Sequence, residues 1–143
     1  MKKWIFGTPV NQFMPSIGLL LLRLVFGLFM LVGHGWGKLL SFSEKASGFP
    51  DPLGIGNELS MASAVFCEVV CAGLVALGLA TRIAVIPLLF TMFIAAFVIH
   101  GDDSLFMGGG AAKEPALIYL TAYAALLFTG AGRFSLDGVI KRK

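Results

Sequence analysis

The sequence predicts an all-α integral membrane protein, folded as a four-helix bundle in a single domain. Composition is the first reason, because 57% of the 143 residues are hydrophobic, only 13% are charged, and the mean hydropathy is +0.88. A water-soluble domain of this size would need a more polar surface. The second reason is that the apolar residues form four runs. Each run is close to the ~20 residues with which a helix crosses the hydrocarbon layer.

The runs predict membrane-spanning helices at residues 17–36, 61–80, 83–100 and 115–130. The start, "MKKWIFGTPVNQFMPS", lacks the apolar core and cleavage site of a signal peptide, so we expect it to be retained. The loop after the first run, "SFSEKASGFPDPLGIGNEL", is rich in Gly, Pro and Ser, and it is expected to form ordered turns rather than strands. The second and third runs are joined by the short turn "ATR".

The basic residues predict the orientation of the bundle. Three of them lie on the side of the long loops, namely Lys38, Lys45 and Lys113. Seven lie on the side of the termini and the short turn: Lys2, Lys3, Arg82, Arg133, Lys141, Arg142 and Lys143. The positive-inside rule therefore predicts that both termini are cytoplasmic. Because these residues flank apolar runs and form no single patch, they do not indicate a nucleic-acid-binding surface.

Arg23 and Glu68 are the ionisable residues placed deep in the predicted spans. Each costs roughly 2.5 to 3.5 kcal/mol on insertion scales, so each should face the bundle and find a partner. Helical rise puts them ~9 Å apart along the membrane normal, within the combined reach of their side chains. They are interpreted either as a structural ion pair or, for Glu68, as a functional carboxylate.

A second polar group is predicted near the outer surface. Counted along ideal helices, His34, His100 and Glu114 all lie ~24 to 26 Å above the inner boundary. Lys38 lies one turn beyond His34 on the same face. This layer is either a binding site or simply the level at which the spans meet water. Glu114, which precedes Pro115, could serve only to cap the start of the fourth helix.

Two other features bear on this layer. Gly33, Gly35 and Gly37 flank His34 and would permit close approach by a helix or a flat ligand. Tyr119 lies one turn from Tyr123 on the fourth span, either as a core aromatic or as a hydrogen-bond donor to a ligand.

Three chemistries fit these residue types. A quinone could receive hydrogen bonds from His and Tyr while a carboxylate handles protons. A b-type haem could be ligated by His34 and His100, although we rank it lower. A metal could be held by His34, His100 and Glu114, but no outer-shell partner is evident, so no metal site is assigned.

Three strings, taken together, resemble the DoxX family of small bacterial membrane proteins over residues 17–138: "LLLRLVFGLFMLVGHGWGKLL", "CEVVCAGLVALGLATRIA" and "EPALIYLTAYAALLFTGAGRFSLDG". The resemblance implies a four-helix bundle in the bacterial inner membrane. It also points to structural roles for Arg82, Arg133 and Asp137. The family is named after a component associated with thiosulfate:quinone oxidoreductase, and other members are linked to redox stress or to quinone and catechol detoxification. It does not by itself fix a reaction.

The leading hypothesis is a quinone- or small-aromatic-binding subunit that supports membrane redox chemistry. Glu68 and His34 would be catalytic, and the ligand would be held by Arg23, Lys38, His100, Glu114 and Tyr119. No flavin or iron–sulfur motif is evident, so a redox partner protein would supply electrons. A homo-oligomer is compatible with this hypothesis. The alternatives are a scaffold or assembly subunit without enzymatic activity and, ranked last, a small transporter.

Overall fold

The computed structural model describes residues 13–142, which are predominantly helical and contain no β-strand. Residues 1–12, with Lys2 and Lys3, and Lys143 lie outside the described residues. The main helices are α1 (Phe13–Leu40), α2 (Asn57–Leu77), α3 (Thr81–Ile99), α4 (Glu114–Thr129) and α5 (Leu136–Arg142). The first three are long and apolar enough to cross a membrane, and α4 is a shorter apolar helix of 16 residues.

The helix ends differ from the predicted spans for local reasons. Helix α1 continues to Leu40, beyond the predicted end at 36. Helix α2 begins at Asn57 instead of 61, because the polar residues before the apolar run form an additional turn of the helix. It ends at Leu77 instead of 80, since Gly78 has a positive φ of 70° that stops the helix.

Helix α1 lies along α2, and α3 packs against both α2 and α4. Small residues set the distance between α1 and α2. A Cβ added to Gly27 would lie 2.9 Å from the backbone of Ala72 and Ala76, and one added to Gly35 would lie 2.8 Å from the backbone of Glu68. The α1–α2 contact therefore depends on glycine at both positions.

The outer surface of the helices is apolar. Exposed Leu, Val, Ile and Phe side chains occur along α1, α2, α3 and α4. Exposed apolar surface on this scale is unfavourable in water but suits the hydrocarbon of a bilayer.

Three helices contain a π-helical segment. These segments are Leu31–Gly35 in α1, Phe66–Cys71 in α2 and Ala95–Ile99 in α3. The first contains His34, the second contains Glu68, and the third ends directly before His100. Such segments are uncommon and frequently mark functional sites, and they alter which residues share a helix face.

The loop between α1 and α2 consists of a one-turn helix (Phe42–Lys45), a 3₁₀ turn (Ala46–Gly48) and bends. The Asp51 carboxylate fixes its end by accepting hydrogen bonds from Ser60 Oγ at 2.7 Å and from the N–H groups of Ile55 and Gly56 at 3.0 and 2.7 Å. These bonds, that of Ser60 foremost, hold the pKa of Asp51 below its usual value. The segment thus forms ordered turns at the start of α2.

Candidate functional site

Arg23 lies at the end of the bundle where the α2–α3 turn meets the segment after α4. Only 1% of its surface is exposed. Its guanidinium donates to the carbonyl oxygens of Ala76 at 3.2 Å, Val75 at 3.5 Å and Phe134 at 2.5 Å. A side chain at Gly78 would collide with the guanidinium, so the turn closes over Arg23 only because residue 78 is glycine. Arg23 therefore joins its own helix, α1, to the end of α2 and to the segment after α4.

Asp137 completes the same region from α5. It is 2% exposed, and its carboxylate accepts hydrogen bonds from the N–H groups of Ala80 at 2.7 Å and Thr81 at 3.0 Å. Its own N–H donates to the Gly78 carbonyl at 2.8 Å. Asp137 thus satisfies N–H groups at the start of α3, although it is distant in sequence.

Two other arginines also hold backbone in this region. Arg82 donates to the Phe128 carbonyl at 2.9 Å, and the N–H of Arg133 donates to Ser16 Oγ at 3.3 Å. We refer to Arg23, Arg82, Arg133 and Asp137 as the base cluster. Structural roles for Arg82, Arg133 and Asp137 and a ligand-binding role for Arg23 stay predictions; the structure places all four residues in the base cluster, where the Arg23 guanidinium is bound by backbone carbonyls.

Glu68 pairs with Lys38, and Arg23 has other partners. Lys38 Nζ donates to both carboxylate oxygens of Glu68, at 2.6 and 2.5 Å. The Glu68 side chain is 5% exposed and that of Lys38 is 30% exposed. The pair that the sequence suggested, Arg23 with Glu68, does not form. Arg23 is bound by the carbonyl groups of Val75, Ala76 and Phe134, while the close approach at Gly35 brings α1 alongside Glu68.

His34 belongs to an aromatic cluster, formed with Phe26, Tyr119 and Tyr123. Tyr119 meets the imidazole edge-on at 5.6 Å between ring centres and meets Phe26 in the same way at 5.5 Å. Tyr123 lies 6.0 Å from Tyr119 and donates a hydrogen bond to the Phe26 carbonyl at 3.2 Å. Tyr123 is buried and His34 is exposed, so the cluster connects the core with the surface of the protein.

A groove of about 580 Å³ runs between α1 and α4 beside this cluster. Its walls are almost entirely apolar and its side is open. Leu22 and Phe26 form the α1 wall, Leu105 and Phe106 cover the loop end, and Glu114 is the one ionisable residue in the lining. The α4 wall consists of Leu117, Ile118, Thr121, Ala122 and Ala125. Phe26 belongs to both the groove and the aromatic cluster. The groove suits a long apolar molecule that enters from the side.

The predicted layer of His34, His100 and Glu114 is divided among different contacts. His100 Nδ1 lies 2.7 Å from Asp103 Oδ2, and Glu114 Oε2 accepts a hydrogen bond from the Met107 N–H at 3.1 Å. Within residues 13–142, no three His, Cys, Asp or Glu side chains come together as metal ligands. The suggested metal trio of His34, His100 and Glu114 does not assemble, and each of the two histidines has a separate contact, His34 with Tyr119 and His100 with Asp103.

The glycines around His34 also differ from the prediction. Only Gly35 contacts a neighbouring helix, whereas a Cβ added to Gly33 or Gly37 would meet no atom within 4 Å.

The two cysteines, Cys67 and Cys71, are buried in the core of the protein and form no disulfide.

The structure adds residues that the polar pattern had not identified. Leu22, Phe26 and Phe106 form the groove but resemble lipid-facing residues in the sequence. Ser16 and Ser135 hydrogen-bond in the base cluster region, where Ser135 Oγ donates to the Gly132 carbonyl at 2.6 Å. Small polar residues next to charged motifs would have been the available signal for these serines.

The chain is similar to known proteins over most of its length. The family model described as DoxX matches residues 18–101. An uncharacterized protein of Haemophilus influenzae is 32% identical over 80% of this chain and 85% of its own length. An uncharacterized membrane protein of Mycobacterium tuberculosis is also 32% identical, over 90% of this chain and 83% of its own length. No solved structure matches significantly.

Proposed function

This chain belongs to the DoxX family, and we propose that it is a multi-pass inner-membrane protein that binds a quinone or a related small aromatic molecule. In this proposal it supports membrane redox chemistry together with a partner protein. The observation that carries the proposal is the open apolar groove between α1 and α4, which shares Phe26 with the aromatic cluster.

The proposed topology has four spans and cytoplasmic termini. Helices α1, α2 and α3 are the long spans, and α4 packs along α3 as the fourth. Ser16 near the start of α1, the α2–α3 turn and α5 are hydrogen-bonded at one end of the protein. Within the described residues that end carries Arg82, Arg133 and Lys141, and Lys2, Lys3, Arg142 and Lys143 lie near it in the sequence, which supports a cytoplasmic location by the positive-inside rule.

The groove and the aromatic cluster supply the two kinds of surface that a lipid-soluble aromatic ligand requires. The apolar walls of α1 and α4 would hold its hydrocarbon part. His34 and Tyr119, in edge contact at 5.6 Å, would hydrogen-bond to its oxygen atoms, and Glu114 would hold the loop at the end of the groove. Burial of the apolar part supplies affinity, and a few polar groups fix the orientation.

Glu68 is proposed as the proton-handling group. Glu68 lies against Gly35, the neighbour of His34 in α1, and Tyr119 contacts both His34 and Tyr123. Lys38 pairs with the carboxylate and, being 30% exposed, connects it to the surface of the protein. A quinone gains or loses protons as it gains or loses electrons, so a proton path to its oxygen atoms is needed. A partner protein would supply the electrons.

The test is quinone binding by the full-length protein in liposomes, with variants of the groove and of the aromatic cluster. Ala125 is exposed in the groove wall, so Ala125→Phe should fill the groove without altering the core and should weaken quinone binding at least about tenfold. His34→Ala removes one hydrogen-bonding group, so it should weaken binding about fivefold. Val98→Phe is the matched control, because Val98 is exposed on α3 away from the groove lining.

Organic extraction of the purified protein gives a second measurement. We expect the wild type and Val98→Phe to retain quinone and Ala125→Phe to lose it. Wild-type affinity and quinone content in both Ala125→Phe and His34→Ala would rule out the proposed site.

A scaffold subunit is the second candidate, because the base cluster shows that much of the buried charge in this chain fixes backbone. A scaffold predicts no quinone in the extract. It also predicts that Glu68→Gln changes the melting temperature or the amount of an assembled complex without changing quinone affinity.

A further inference from the structure

Helix α5 presents an apolar face that no other described part of the chain covers. Leu136, Val139 and Ile140 are 42%, 47% and 49% exposed, and their spacing places them on one side of the helix. The opposite side is formed by Asp137 and Gly138, which are buried against the bundle. The helix is thus amphipathic, but its orientation is the reverse of that of a surface helix in a soluble protein. Its polar contacts face the bundle and its apolar side chains face outward.

The base cluster fixes the height of α5. Asp137 is hydrogen-bonded to Gly78, Ala80 and Thr81, which join the end of α2 to the start of α3. Because both helices are spans, their junction lies where the bilayer meets water. Helix α5 therefore begins at that boundary, at the depth of the lipid headgroups.

Other apolar residues continue the same surface. Phe134, just before α5, is 37% exposed and meets the ring of Phe13 edge-on at 5.5 Å, and Phe13 is itself 55% exposed at the start of α1. The exposed side of α5 thus merges with the lipid-facing side of α1. This continuity favours lipid as the surrounding of α5.

The charges near this face are basic. Arg133 and Lys141 are exposed, and Arg142 and Lys143 follow in the sequence. Asp137 is the only acidic residue after Glu114, and it is buried. Basic residues beside an apolar helix face favour a surface of anionic phospholipids.

We propose that α5 is an interfacial helix that inserts Leu136, Val139 and Ile140 into a leaflet rich in anionic phospholipid. The lipid covers its apolar face, and the basic residues around it pair with lipid phosphates. This role is independent of quinone binding, so either proposal can fail without the other.

The experiment places a nitroxide label on the full-length protein reconstituted in vesicles. A Cys67→Ala/Cys71→Ala background, checked to melt as a folded protein, provides the single-cysteine variants Ile140→Cys and Lys141→Cys. Label depth is measured from collision with oxygen, which concentrates in lipid, and with a water-soluble nickel chelate. Val98→Cys on α3 is the control for a lipid-facing position.

In vesicles that contain phosphatidylglycerol, we expect the label at 140 to collide mainly with oxygen and the label at 141 mainly with the nickel chelate. In the Ile140→Cys protein, Lys141→Gln and Arg142→Gln should each lower the ratio of inserted to uninserted label roughly fivefold. Lys113→Gln, a basic-residue change in a different loop, should leave it unchanged.

Three results would overturn the proposal. The label at 140 could remain in water in every vesicle. It could insert equally well in pure phosphatidylcholine, which would remove the requirement for anionic lipid. It could be protected only after a membrane extract containing other proteins is added, which would assign the face to a protein partner.

Discussion

Two of the buried charged residues of this protein, Arg23 in the base cluster and Glu68 beside α1, are stabilised in different ways. Arg23 donates to backbone carbonyls from two parts of the chain and is closed over by the turn at Gly78. Glu68 is held by one flexible lysine that is 30% exposed. Many fixed partners hold a charge in one geometry, whereas a single lysine can move away. We therefore expect the base cluster to maintain the fold, and the Lys38–Glu68 pair to be the more easily broken of the two arrangements.

The largest effect is expected from Asp137→Ala, because it breaks the base cluster. The change leaves the N–H groups of Ala80 and Thr81 without their acceptor and removes a buried carboxylate from the base cluster. Loss of one partner from a buried charged network typically costs about 3 to 5 kcal/mol. We expect a large fall in the melting temperature measured in detergent or vesicles.

Asp102→Ala is the matched control, because Asp102 is exposed in the α3–α4 loop. Its melting temperature should remain close to that of the wild type. Equal and small effects of the two alanine substitutions would contradict a structural role for the base cluster.

The two regions also differ in how far the sequence could predict them. The long apolar runs were sufficient to predict the helices, because a charge-poor segment of this length can satisfy its backbone hydrogen bonds in a membrane by forming a helix. Arg23 and Glu68 were identifiable as residues that need partners, because burial of a charge in a span is costly. Which partners they have could not be predicted. Height along an ideal helix allowed Arg23 to meet Glu68, but the rotation of each helix and the fold of the segment after α4 decide the pairing.

The π-helical segments explain much of the remaining difference. On an ideal α-helix, His34, eleven residues after Arg23, would lie on the same helix face as Arg23 and at the height of His100. Because Leu31–Gly35 is π-helical, residues after Met30 turn away from that face, and the imidazole contacts Tyr119. Nothing in the residue types of "LVGHG" predicts that this segment is π-helical. The groove was likewise invisible, because its leucine and phenylalanine side chains are indistinguishable in the sequence from those that face lipid.

A double-mutant cycle on Lys38 and Glu68 should give an intermediate effect. Lys38→Met leaves a 5% exposed carboxylate without its cation, so it should cost about 2 kcal/mol, less than Asp137→Ala because the lysine side is partly solvated. Replacing both residues, as in Lys38→Met/Glu68→Leu, removes the charge that needs a partner and should restore most of the stability.

The cycle is measured by thermal unfolding together with quinone affinity. Recovery of stability in the double variant without recovery of quinone binding would separate the ion pair from the base cluster and assign it to function. A double variant as unstable as Lys38→Met alone would mean that the pair serves to hold α1 against α2.

The smallest effect is expected from Gly35→Ala, with Gly33→Ala as its matched control two residues away. Each change should add roughly 1 kcal/mol of stability through higher helix propensity. At Gly35 the new methyl would lie 2.8 Å from the backbone of Glu68, and overpacking of about 2 kcal/mol should exceed that gain, for a net loss of about 1 kcal/mol. At Gly33 the methyl meets no atom within 4 Å, so the gain should remain. Melting temperatures of the two variants should therefore move in opposite directions.

Gly35→Ala should also affect the ion pair. The methyl at residue 35 separates α1 from α2 beside Glu68, so it should loosen the contact between Glu68 and Lys38. A loss of quinone affinity in Gly35→Ala but not in Gly33→Ala would connect the helix contact to the ion pair. A similar rise in melting temperature for both variants would show that α1 and α2 are not in close contact at this level.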